Sequence, residues 1–176
     1  MKRLGFIALL AVMLVGFSAS AASAVTTTTI NSANAPTGTH LQSGTIGCTV
    51  NATLSVTCSG FELAGVGNAN ATGSLVASYT ATVQCRNRGG QIVEVKSQVT
   101  TVPATTGSLS PKNGRLAVPS LTSAPAPTAA QFEALATCPN GNWTKETLAG
   151  SVTLSSFTYT LTFAGFSGPY ITITGP

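Results

Sequence analysis

Apolar and polar side chains alternate clearly along residues 75–85. Leu75, Ala77, Tyr79, Ala81, Val83 and Cys85 fall on one side, and Ser78, Thr80, Thr82 and Gln84 on the other. A period of two is the signature of a strand with one buried face, because successive side chains point to opposite faces. Beyond Gly89-Gly90, residues 91–102 continue with Val93, Val95 and Val99 on one side and Glu94, Lys96 and Gln98 on the other. The two runs therefore read as a β-hairpin. A third long run covers residues 148–163. Val152 and Leu154 share one parity there, while Phe157, Tyr159, Leu161 and Phe163 share the opposite one. The switch at Ser155-Ser156 predicts a β-bulge or a bend between sheets.

Shorter runs complete the pattern. Residues 25–29 are β-branched and predict a first strand. Residues 45–50 and 54–59 predict a hairpin around Asn51-Ala52-Thr53. Residues 115–118 predict a strand after the Asn113-Gly114 turn, and residues 170–174 a last one. Residues 31–44, 65–73, 103–114 and 120–127 are rich in Gly, Pro, Asn or Ala and read as loops or turns. Residues 128–136 hold the only helix-favouring stretch and fit either one helical turn or a further strand. About eight short strands separated by turn signals predict an all-β fold. The expected architecture is a disulfide-stapled antiparallel β-sandwich of two sheets, immunoglobulin-like or similar. Phe157, Tyr159, Leu161 and Phe163 would supply one inner face.

The N-terminus has a different pattern. Lys2 and Arg3 precede an apolar run over residues 4–17, and Ala22-Ser23-Ala24 forms an A-x-A site. This is the layout of a secretory signal peptide cleaved after Ala24. The apolar run is shorter than a membrane span needs, and no later run reaches that length, so no transmembrane segment is expected after its removal. The 152 remaining residues suit one domain, 25–176. Loss of Lys2 and Arg3 leaves six basic against four acidic groups, too few to form the basic stripe that nucleic acid requires.

Cys48, Cys58, Cys85 and Cys138 all follow the predicted cleavage point. An even count behind a signal peptide implies disulfides and an oxidising compartment. Three connectivities are possible, and Cys48–Cys58 with Cys85–Cys138 is favoured. The first pair flanks the short hairpin, and the second would join two later strands across the core. A zinc site from these cysteines and His40 would lack any C-x-x-C spacing. Neither a metal nor another cofactor is expected.

The residues able to do chemistry are few. The chain has one His, four Glu, no Asp, and 46 Ser and Thr among 176 residues. A Ser–His triad built on His40 would need Glu as its orienting carboxylate, and no G-x-S-x-G elbow occurs; His40 reads as an exposed loop residue. Glu62, Glu94, Glu133 and Glu146 are the only groups for a glycosidase pair, and they read as surface charge. No catalytic residue is assigned. Trp143, the single Trp, with Tyr79, Tyr159 or Tyr170, is a candidate sugar-stacking platform. Arg86 and Arg88, with Lys112 and Arg115, are candidates for a basic loop cluster that meets an acidic wall polymer.

Cys85-Arg86-Asn87-Arg88-Gly89-Gly90 resembles the C-x-N-x-G-G element of small secreted bacterial proteins of the actinobacterial type. Residues 61–68 (FELAGVGN) and Cys138-Pro139-Asn140-Gly141-Asn142-Trp143 are similar to the flanking elements of that group. The resemblance spans most of the chain after the leader and implies secretion and a β-sandwich. It implies no activity. Those proteins often carry Pro within the element, where this chain has Arg88, which implies a less rigid turn here.

These observations together lead to the expectation of a secreted, non-enzymatic β-sandwich at the cell surface or outside the cell, acting in binding or structure. Its partners would be cell-wall polysaccharide or further copies of itself through the uncharged strand Ile171-Thr172-Ile173-Thr174. A carbohydrate-binding module using Trp143 is the alternative, and a hydrolase a more distant one.

Overall fold

The computed structural model describes residues 26–176; the predicted leader and cleavage site lie outside them. Thirteen strands, one 3-10 turn at Ser32–Asn34 and one short helix make up the described chain. The strands are β1 (Thr27–Ile30), β2 (His40–Gly44), β3 (Cys48–Val50), β4 (Val56–Cys58), β5 (Phe61–Ala64), β6 (Ala71–Arg86), β7 (Ile92–Thr100), β8 (Ala104–Leu109), β9 (Arg115–Val118), β10 (Leu121–Thr122), β11 (Thr144–Thr147), β12 (Thr153–Phe163) and β13 (Ile171–Gly175). The helix α1 (Ala129–Leu135) lies between β10 and β11. Every pairing is antiparallel. The fold is all-β.

The 16-residue strand β6 organises the molecule. It is long enough to take two partners on each side. β12 pairs with its first part and β11 with its last four residues along one side. β8 and then β7 follow each other along the opposite side. β13 and β1 extend the sheet beyond β12, giving seven strands. Two three-stranded sheets, β10-β4-β3 and β2-β5-β9, complete the fold. Three sheets thus replace the two expected, and thirteen strands replace about eight.

The alternation read from residues 75–85 maps directly onto burial. Leu75, Ala77, Tyr79, Ala81, Val83 and Cys85 are at most 1% exposed. Phe157, Tyr159, Leu161 and Phe163 on β12 are buried beside them, and the register between the two strands slips between Leu154 and Ser156. Of the two expected forms, a bulge or a bend between sheets, the register shows the bulge: one extra residue, Ser155, returns the later side chains to the core face. A single hydrophobic cluster joins these residues, Cys85 apart, to Val56 and Cys58 of one small sheet and to Phe61, Leu63, Leu116 and Val118 of the other. The Tyr79 hydroxyl also crosses between sheets, donating to the Leu54 carbonyl at 3.0 Å.

Several expected loops are strands. Residues 31–44 contain β2, so His40 opens a strand paired to Ala64 and is not a loop residue. Residues 103–114 contain β8, and residues 120–127 contain β10, which pairs with β4. None of the five residues of β2 is buried, so a periodic apolar signal was never there to read. The strand is held by backbone bonding to β5. Residues 128–136 resolve as the helix. Gln131 accepts a hydrogen bond from the Thr128 backbone N–H at 2.8 Å, the returning half of a capping box. Phe132 is the one fully buried residue of the helix, and its carbonyl accepts a hydrogen bond from the buried Ser97 hydroxyl at 2.8 Å.

The terminal segment Ile171-Thr172-Ile173-Thr174 does not offer an open edge. It is paired to β12 on one side and to β1 on the other, with Ile171 and Ile173 buried. Neither edge of that strand is therefore open to pair with a further copy.

Candidate functional site

Two disulfides form, Cys48–Cys58 and Cys85–Cys138. The first crosses the β3–β4 hairpin at a directly opposed pair. The second ties the end of β6 to the segment that follows α1. Cys138 lies in a loop and not on a strand, which corrects the expectation of a strand-to-strand staple. Its effect is local: it brings the loop of residues 138–143 against the β6–β7 turn.

The two loops are shaped by their asparagines. Asn87 closes the β6–β7 turn. Its backbone N–H donates to the Gln91 carbonyl, its side-chain oxygen accepts from the Gln91 N–H at 2.9 Å, and its amide nitrogen donates to Gln91 Oε1 at 2.7 Å. Gly90 completes the turn with a positive φ of 82°. Asn140 plays the same part opposite, accepting from the Asn142 N–H on its side chain at 3.0 Å and from the Trp143 N–H on its carbonyl. Thr144 then pairs with Arg86 and donates its hydroxyl to the Arg86 carbonyl. The Asn of the C-x-N-x-G-G element is thus a turn clamp, and the two arginines beside it are left to face outward.

Between the loops lies a shallow, open cavity of about 340 Å³ lined by Arg86, Asn87, Arg88, Asn142 and Trp143, among others. Two adjoining cavities share Trp143, and one of them reaches Lys145. The indole is half-buried. Trp143, Arg86 and Arg88 therefore come together at one end of β6. Among the described residues the one ion pair is Arg115–Glu62 at 3.2 Å, so the basic groups around Trp143 carry no such partner. The nearest carboxylates by register are Glu94 and Glu146, which flank Gln84 on the neighbouring strands.

The other predicted groupings are not assembled. Tyr79, Tyr159 and Tyr170 are buried, so no tyrosine shares a sugar-stacking surface with Trp143. Lys112 and Arg115 do not join Arg86 and Arg88. They flank Gly114, whose carbonyl accepts the Val66 N–H, ahead of the opposite end of β6. The strand between the two groups has a contour of about 50 Å. A second cavity of about 380 Å³ lies there, lined by Glu62, Lys112 and Arg115, and its Glu62 and Arg115 are spent on each other.

Three of the four candidate acids and His40 have local partners; among the described residues the Glu146 side chain has none. Glu94 accepts from Gln84 at 3.1 Å, and Glu133 accepts the Thr147 N–H at 2.9 Å. His40 sets Nδ1 2.8 Å from the Gly38 carbonyl on an exposed strand end. Cysteine sulfur is committed to disulfides, and among the described residues no group of three His, Cys, Asp or Glu is placed to hold a metal ion. Comparison with family models, with curated proteins and with solved structures finds no match to this chain.

Proposed function

We propose that this chain is a secreted, non-enzymatic binding protein of the cell envelope or the extracellular space, and that the Trp143 cleft takes an anionic polysaccharide. The observation that carries the reading is the convergence of Trp143 with Arg86 and Arg88 in one cleft. The indole offers an apolar face with a polar edge for a sugar ring. The guanidinium groups supply planar, paired donors for carboxylate or phosphate substituents. Asn142 adds an amide donor and acceptor at the rim. An open cleft suits one stretch of a long polymer better than an enclosed small molecule.

Extracellular placement draws support from the signal-like N-terminus and from the pairing of all four cysteines. Among the described residues no helix is long and apolar enough to cross a membrane. The non-enzymatic reading draws support from the occupation of Glu62, Glu94 and Glu133 by neighbouring donors.

Retention of the purified protein on immobilised polygalacturonate and on uncharged dextran tests the proposal. The expected result is binding to the acidic polymer alone, weakened by added salt, and lost on Trp143→Ala and on the paired change Arg86→Gln with Arg88→Gln. Equal retention on both polymers, or retention indifferent to Trp143→Ala in a folded variant, would overturn it.

A further inference from the structure

The outer face of the large sheet carries a second pattern, which the cleft does not use. β12 reads Thr158-Tyr159-Thr160-Leu161-Thr162, β13 contains Thr172-Ile173-Thr174, and β1 contains Thr27-Thr28-Thr29. Tyr159, Leu161 and Ile173 point into the core, so the threonines that alternate with them point away from it. The register then sorts these threonines into two complete ranks. Thr29 pairs with Thr172, which pairs with Thr160; Thr27 pairs with Thr174, which pairs with Thr158. Neighbours in a rank are separated by about 4.8 Å, and the two ranks by about 6.8 Å along each strand. Ser74 and Thr105 prolong the first rank across β6 and β8.

Three properties set these six threonines apart. No charged residue stands in either rank, although an exposed sheet face ordinarily carries charge for solubility. No aromatic side chain stands there either. Among the described residues, no hydrogen bond to the rest of the chain engages the six hydroxyls. Further along the same face the corresponding groups are spent on each other, Ser78 with Thr100 at 2.9 Å and Thr80 with Thr153 at 3.1 Å.

The chemistry of the face narrows its occupant. Without charge it has no hold on an ionic polymer, and without aromatic rings it has no stacking surface for sugars. What it offers is a methyl and a hydroxyl repeated at fixed intervals in two directions. Threonine is stiff at χ1, so each hydroxyl is held in one or a few positions on the strand. A rank of such hydroxyls places its bound water at the repeat of the sheet, and holding that water costs little. The prism faces of hexagonal ice repeat their oxygens at intervals of this size in both directions. We propose that the two threonine ranks of β1, β13 and β12 form an ice-adsorbing surface.

The strength of the contact is collective. Each water-bridged threonine is weak, and six fixed on one sheet engage together. Adjacent strands twist by about 20–25°, which limits a flat match to a few neighbouring strands. The two complete threonine ranks span three.

The experiment is thermal hysteresis together with ice recrystallisation inhibition, measured on the disulfide-intact protein. Thr160→Tyr and Thr172→Tyr each plant a bulky side chain in the middle of a rank. The expected result is measurable hysteresis and slowed recrystallisation in the parent, most of it lost in either variant with the thermal unfolding transition retained. Trp143→Ala serves as the control and should keep the full effect on ice, which separates this surface from the cleft. A parent protein that leaves ice growth unchanged would overturn the proposal. So would Thr160→Tyr abolishing retention on an insoluble neutral polysaccharide such as chitin while leaving ice growth untouched, since the face would then belong to a sugar lattice.

Discussion

The Tyr79 hydroxyl donates to the Leu54 carbonyl at 3.0 Å, from the middle of β6 to the tip of the β3–β4 hairpin. Leu54 occupies the left-handed region with φ 64°, where a β-carbon is unfavourable. Its N–H donates to the Asn51 carbonyl and closes the turn. The hydroxyl of a core residue thus holds a turn that local conformational preference alone would resist.

Tyr79→Phe should therefore destabilise the protein by about 1–2 kcal/mol, the cost of one hydrogen bond and a carbonyl left short of a partner. Urea unfolding at neutral pH measures it. Because the ring is kept, the core loses no volume, and a cost near zero would mean that water takes over the Leu54 carbonyl in the variant.

The two disulfides should contribute unequally. Cys48–Cys58 spans 10 residues and Cys85–Cys138 spans 53. Loop-closure entropy assigns them about 3 and about 4 kcal/mol. Replacing both cysteines of the longer loop by Ala should lower the unfolding midpoint more than the same change in the hairpin. It should also loosen the Trp143 loop from the β6–β7 turn, so binding in the cleft falls in the first double variant and persists in the second. Equal losses of binding would show that the staple does not position the cleft.

The most legible parts of the sequence are two long strands in which burial imposes a period. β6 and β12 each present one face to the core, so their side chains alternate, and the parity switch at Ser155-Ser156 marks an irregularity that the register resolves as a bulge. β2 and β11 have no buried residue, and β8 has none either, with its register broken opposite Gly73. Such strands are held by backbone bonds to a neighbour, which leave little mark on the choice of side chain. The candidate site divides in the same way. Trp143, Arg86 and Arg88 stood out by residue type, but their convergence depends on the Cys85–Cys138 bond and on the pairing of Thr144 with Arg86. The supposed union of Arg86 and Arg88 with Lys112 and Arg115 failed because a 16-residue strand runs between the two groups. The tyrosines failed as a platform because the same alternation that made their strands legible turned them inward. The threonines are abundant in the sequence, and only the pairing register sets six of them in ranks.

Tyr159 is the counterpart of Tyr79 without a partner. Its ring is 1% exposed, and its hydroxyl is buried with no hydrogen bond. Burial disfavours the phenolate and pushes its pKa up to about 12. In the unfolded chain the same group titrates near its ordinary value of about 10. Between those values the unfolded state has released the proton and the folded state retains it, so the folded state binds more protons and stability falls as pH rises. The decline should begin near pH 10 and level off above about 12, amounting to about 2–3 kcal/mol. Burial raises the Tyr170 pKa as well, in the same direction. Tyr159→Phe removes the Tyr159 share. At neutral pH it should leave stability unchanged or raise it slightly, because the lost hydroxyl had no partner to lose. At pH 12 the variant should be the more stable of the two by about 2 kcal/mol. Urea midpoints of both proteins across pH 8 to 12 make the comparison. Curves that stay parallel through that window would mean that the Tyr159 hydroxyl reaches solvent or a bound water in the folded protein.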